Sequence, residues 1–159
     1  MIQPPMRYSQ GLLSFIQGEE GLSLKAYEDH GLAIGYGSHV PGIDGDTTCT
    51  QIQALFWLIQ KLDEICKGIN NLVNVSLAQC QFDALCSFCY NLGVGAFEGS
   101  TMLRLLNEGA YGLAAAEFPR WDKIHDDQGN VVVSADLRTR RLKEQAMFLN
   151  KPYVEEVKG

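Results

Sequence analysis

The sequence lacks an excess of positive charge. Its 159 residues carry 13 Lys and Arg against 19 Asp and Glu, a formal net charge of −6. Nucleic-acid binding neutralises phosphates with Lys and Arg in excess, so a nucleic-acid partner is excluded from the reading. No apolar run approaches the roughly 18 residues that a transmembrane helix needs, which excludes stable membrane insertion. The opening MIQPPMRYSQ has one Arg, two prolines and no apolar segment, so no secretory signal is expected. Repeats and low-complexity stretches are absent too. The five cysteines, Cys49, Cys66, Cys80, Cys86 and Cys89, are an odd number, which argues for free thiols in a reducing compartment. Cys86 and Cys89 have CxxC spacing, but no second pair and no nearby His pair completes a zinc set. Phe82, Leu85, Cys86 and Cys89 instead form one apolar helical stripe, in which the thiols behave as small hydrophobes. No metal and no cofactor is implied.

What is present fits one domain with a sizeable core: 46% of residues are hydrophobic and 20% charged. Ser9 caps a helix running to about Glu20, where Gly21 is a natural stop. From Leu24 to Tyr36 the residues suit short strands, with turn chemistry at Asp29-His30-Gly31. A loop, VPGIDGDTTCT, follows. Thr50 and Gln53 form a capping box that opens a long helix over about 51–67, ended by Gly68. Ser76 and Gln79 form a second box, opening a helix over 77–91. After a turn at Gly93 and Gly95, Ser100 or Thr101 starts a helix closed by Gly109. An alanine-rich helix follows over about 111–118. Val131 to Val133 make a brief extended segment, and Ser134 caps a last helix over about 135–149. Arg138, Arg140 and Arg141 stand in the first turns of that helix, an unfavourable place for cations without acidic partners. The tail from Pro152 is expected to fray. The fold class is α+β, mostly helical. A small β-containing lobe, about 18–50, is joined by the connecting helix to a helical lobe, about 68–150, with the binding cleft between them.

The chemistry concentrates between Gly18 and His39, GEEGLSLKAYEDHGLAIGYGSH. Glu20 ends the first helix. A carboxylate there lies at the negative end of the helix dipole and calls for a nearby cation. Asp29 follows after eight intervening residues, on a different element. Two carboxylates on separate elements beside a glycine-rich turn are what a glycoside hydrolase uses: one protonates the leaving oxygen, and the other handles water or developing positive charge. On local sequence alone, Glu19 and Glu20 also read as solvated helix-end residues.

These residues resemble those of the phage-type lysozymes, the family 24 glycoside hydrolases. The resemblance rests on EGLSLKAYED, AIGYG at 33–37, QFDALCSFCYNLGVGAF at 81–97 followed by STMLRLLNEG, RW at 120–121 and LRTRR at 137–141. It covers about Ser9 to Leu149. It implies a lysozyme-like fold and a muramidase that hydrolyses the β-1,4 bond between N-acetylmuramic acid and N-acetylglucosamine in peptidoglycan. Glu20 is then the general acid and Asp29 the second carboxylate. Arg138 is expected to return from the last helix to pair with Glu20, and Asn91 to face the sugar across the cleft. The sequence departs from the family between Asp29 and Ala33. The loop is shorter, and Ala33 stands where the family has a Thr that helps hold the attacking water. Ser38, His39 and His30 are the candidates to replace that hydroxyl. The departure keeps a lytic transglycosylase open, and also a glycan-binding module or a delivered antibacterial effector. The resemblance further implies a monomer that accumulates in the cytoplasm of the producing cell and reaches the wall through a holin pore.

Overall fold

The computed structural model describes residues 3–155. The order of elements is α1 (Gln10–Glu20), β1 (Ser23–Glu28), β2 (Leu32–Gly35), α2 (Gln51–Leu72), α3 (Gln79–Leu92), α4 (Val94–Glu98), α5 (Thr101–Asn107) and α6 (Tyr111–Glu117). A 3-10 turn (Phe118–Arg120), β3 (Lys123–His125), β4 (Val131–Val133) and α7 (Ala135–Phe148) complete it. The mostly helical α+β reading holds. The part of the fraying tail that falls on 156–159 lies outside the described residues.

Capping explains where most helices begin. The hydroxyls of Ser9, Thr50, Ser100 and Ser134 accept from the backbone amides of Leu12, Gln53, Leu103 and Leu137, satisfying donors that a helix start leaves orphaned. The Ser9 cap is tied to another helix, because Asp83 of α3 accepts from both the Ser9 amide and its hydroxyl. Two expected boundaries move. The Ser76 box does not form, and α3 opens at Gln79 with the Gln81 side chain accepting from the Ala78 amide at 2.8 Å. Gly68 does not end α2. It lies inside the helix where a Cβ would come within 2.9 Å of Val94, so its missing side chain lets α4 approach. Gly95, expected in a turn, lies inside α4.

The core is built on α3, whose residues from Phe82 to Tyr90 are all buried. Phe88 meets Phe97, Phe118 and Trp121 edge-on, at centroid distances of 6.3, 5.8 and 5.4 Å. Each such buried aromatic contributes on the order of 2 kcal/mol through area removed from water. Cys86 and Cys89 are free and buried in this core, as the apolar stripe predicts, and Cys66 of α2 is buried beside them. Burial pushes the Cys89 thiol well above its ordinary range.

The β1–β2 hairpin is antiparallel and irregular between Ser23 and Tyr27. Its outer edge is covered by the 44–49 loop, through Ala26 N to Thr47 O and Cys49 N to Leu24 O. At its tip His30 (φ 50°) and Gly31 (φ 108°) take left-handed backbone, and the Asp29 amide donates to Gly31 O. Gly35 follows at the end of β2, where a Cβ would meet Ala54 at 3.0 Å, so the hairpin seats directly on α2.

Candidate active site

Glu20 is the last residue of α1, and the cation its position calls for is present. Arg140 Nη1 donates to Glu20 Oε1 at 2.6 Å, with side-chain exposures of 7% and 19%. This corrects the expectation for Arg138, whose Nη1 binds Asp122 Oδ2 at 3.2 Å instead. Residues two apart on a helix point about 200° apart, so Arg138 and Arg140 cannot serve the same partner. Arg141 turns inward to Glu144, and the three arginines thereby all have carboxylate partners. Next door, Glu19 pairs with Lys143 at 2.8 Å, a second link between α1 and α7.

The other Glu20 oxygen faces the glycine turn. A Cβ on Gly37 would lie 3.0 Å from Glu20 Oε2, and Gly37 has a φ of 76°, so the position suits glycine on two counts. Lys61 from α2 also senses Glu20. Burial pulls its ammonium below the ordinary lysine range, and the Glu20 charge acts against that. Lys61 Nζ donates to Tyr90 O at 3.2 Å and sits 4.2 Å from the Tyr90 ring centre. The Tyr90 hydroxyl in turn donates to Tyr36 O at 2.6 Å, which ties α3 to the glycine turn.

Asp29 stands exposed at the hairpin tip. Tyr27 is the residue that both acids influence: burial raises its phenol above the ordinary value, and the negative charges of Asp29 and then Glu20 push it further. A hollow of about 330 Å³ lies here, lined by Glu20, Gly21, Leu22, Ser23 and Tyr27. A second, of about 370 Å³, lies between the 38–41 loop and α2, lined in part by Ser38, His39, Trp57, Gln60 and Lys61.

The remaining candidates separate. Ala33 is fully buried opposite Tyr27 and offers no polar group. Ser38 is buried, exchanges backbone hydrogen bonds with Ile34, and holds its hydroxyl near Tyr90 outside hydrogen-bond geometry. His39 is exposed, with Nδ1 3.1 Å from Leu32 O. Asn91, in the last turn of α3, is half-buried, and its buried Oδ1 has no protein partner. His30 is an exposed turn residue. Sequence reasoning missed Arg140 as the Glu20 partner, and it missed Lys61, Tyr27 and Glu144. The spacing Arg-Arg-x-x-Glu at 140–144 was the available signal for the last of these.

The sequence profile of the family described as phage lysozyme matches residues 17–144. The chain belongs to the phage lysozyme family. Among phage lysozyme relatives, it is 38% identical over 152 residues to the endolysin of Salmonella phage P22, covering 91% of this chain and 99% of that one. It is 43% identical over 148 residues to the endolysin of Bacillus phage PZA, covering 90% of this chain and 55% of that one. The chain thus spans about half the length of the PZA endolysin and of the endolysin of Bacillus phage B103, of which it covers 54%. Among solved structures, the endolysin from Escherichia coli O157:H7 phage FAHEc1 superposes with a TM-score of 0.86 at 32% identity, covering 96% of this chain and 99% of that one. The phage lysozyme fold is therefore shared along nearly the whole chain.

Proposed function

We propose that the protein is a peptidoglycan-degrading muramidase that hydrolyses the β-1,4 bond between N-acetylmuramic acid and N-acetylglucosamine, in the manner of an endolysin. The observation that carries the reading is Glu20, fixed by Arg140 through Oε1 while Oε2 faces the glycine turn beside an open hollow. Glu20 delivers a proton to the leaving oxygen. Asp29 stabilises positive charge on the sugar and directs water. The family resemblance assigns Asn91 to the sugar, and the hollow at Ser38, His39 and Trp57 gives the glycan strand a wall of polar groups and an aromatic face. With Ala33 apolar, water is held by groups other than a hydroxyl at that position.

The lobes at about 18–50 and 68–150 act as one catalytic unit in this reading, as a monomer without cofactor. Among the described residues no helix is long and apolar enough to cross a membrane. Accumulation in the producing cell and release through a holin pore belong to the same proposal and follow from the family resemblance.

The test is turbidity loss of purified peptidoglycan by the wild type and Glu20→Gln, with mass spectrometry of the fragments. Reducing muramic acid ends that vanish in the variant are expected. Anhydro ends would make the enzyme a lytic transglycosylase, and no release by the wild type would make it a glycan-binding module.

A further inference from the structure

We propose that Glu144 is a positioning residue for the Glu20 carboxyl, acting through Arg140. The inference rests on the reading of Glu20 as proton donor. Glu144 is fully buried. Its Oε2 lies 3.5 Å from Arg140 Nε, accepts from Arg141 Nη2 at 3.1 Å and accepts from the Ser87 hydroxyl. Its Oε1 lies 2.6 Å from Arg141 Nε. Arg140 therefore bridges two carboxylates, one open to the hollow and one sealed in the core. Without Glu144 it keeps Glu20 and the neutral Ser87 carbonyl and hydroxyl, at 3.4 and 3.5 Å, and loses the charge that balances it on the core side.

Stability gives a poor account of this cluster. A buried ion pair seldom outperforms apolar side chains of the same volume, because the desolvation of both charges offsets their attraction. The surroundings would suit apolar residues, since the Arg141 guanidinium lies 5.4 Å from the Phe88 ring centre. Burial works against the ionised form of Glu144, and Arg141 and Arg140 work for it. What the arrangement supplies is a fixed guanidinium. An arginine side chain has many rotamers, and the Glu144 charge 3.5 Å from Nε favours the one that aims Nη1 at Glu20.

The charges around each acid set the sign of the test. Glu20 faces Arg140 from α7, Lys61 from α2, Tyr27 from β1 and Tyr90 from α3. Glu144 faces Arg140 and Arg141 from its own helix, and Ser87 and Cys89 from α3. Neutralising Glu144 leaves the Arg140 charge balanced by Glu20 alone, favouring the ionised acid in that variant. Removing Arg141 and Glu144 together removes the anchor without changing net charge.

The experiment compares the wild type, Glu144→Gln, the double variant Arg141→Met/Glu144→Met and Glu20→Gln. It records kcat and KM on soluble glycan fragments across pH, and thermal unfolding. The double variant is expected to unfold at or above the wild-type temperature, with kcat reduced about 10- to 100-fold, as small displacements of a reacting group cost. Its KM and its pH profile should stay in place. Glu144→Gln should also lose kcat, with the alkaline limb of its profile moved to lower pH. Should either variant fail to fold, Glu144→Asp, which keeps the charge but withdraws it by one methylene, must lose kcat. Wild-type kcat and pH profile in the folded variants, with Glu20→Gln inactive, would overturn the inference and leave the muramidase reading intact. Activity retained by Glu20→Gln would instead remove the reading on which it rests.

Discussion

Gly37 offers a test of how tightly the acid is held. Its φ of 76° lies in the left-handed region, and a Cβ there would stand 3.0 Å from Glu20 Oε2 and 3.8 Å from Cδ. Gly37→Ala then has two separable effects. The backbone strain of an L residue in this conformation costs about 1–2 kcal/mol. For a chain of this size, about 1 kcal/mol corresponds to roughly 2–4 °C in Tm, so a drop of about 2–8 °C is expected. The second effect falls on the acid. Ordinary contacts begin near 3.4 Å, so the carboxyl must withdraw by a few tenths of an ångström while Arg140 holds its other oxygen at 2.6 Å. A misplacement of 1 Å costs about 100-fold in rate, so a loss of about 3- to 10-fold in wall hydrolysis is expected. Gly109→Ala is the matched control: its φ is 78° and nothing lies within 4 Å of the added Cβ. It should show a similar drop in Tm and full activity in the turbidity assay after correction for folded fraction. Equal activity of the two variants would refute the claim that Gly37 shapes the position of Glu20.

Gly68→Ala sets helix propensity against packing. Alanine gains about 1 kcal/mol within a helix, but its Cβ would lie 2.9 Å from Val94 Cγ1, and overpacking costs about 1–3 kcal/mol. Urea denaturation should show net destabilisation that Val94→Ala, placed in the same chain, reverses; an additive second loss would contradict the contact. Asp122 joins the start of β3 to α7. Its carboxylate binds Lys123 at 2.9 Å and Arg138 at 3.2 Å, and the hydrogen bond from Lys123 chiefly holds it below the usual carboxylate range. A folded value below the unfolded one stabilises above the unfolded value, about 3.9, and that stability is lost as pH falls through the folded value. Asp122→Asn should therefore cost about 1 kcal/mol at pH 7 and much less at pH 2–3 in denaturant titrations. An equal gap at both pH values would rule out the ionic contribution.

Local chemistry made much of the architecture readable. Ser9, Thr50, Ser100 and Ser134 each carry a side chain that completes a helix start on its own, so those boundaries appear where the sequence puts them. Gly68 and Ser76 misled because their roles depend on partners distant in the chain. Gly68 is shaped by Val94, and the Ser76 carbonyl accepts from the Tyr111 hydroxyl. The site divides in the same way. The end of α1 demands a cation for Glu20, which is a local requirement. Which of three arginines supplies it depends on how α7 is rotated against α3, and that rotation is set by packing among Ser87, Arg141 and Glu144. Lys61 belongs to no motif, and Tyr27 sits in EGLSLKAYED without any sign of its role; both become visible only once α2 and β1 flank Glu20.

The bond between Arg140 and Glu20 joins residues 120 positions apart. A ribosome adds Glu20 well before Arg140, so a growing chain carries the acid with no guanidinium to hold it until α7 has been made. Truncated or prematurely released products that lack α7 are in the same condition. The pairing that fixes Glu20 therefore exists only in chains that contain a folded α7.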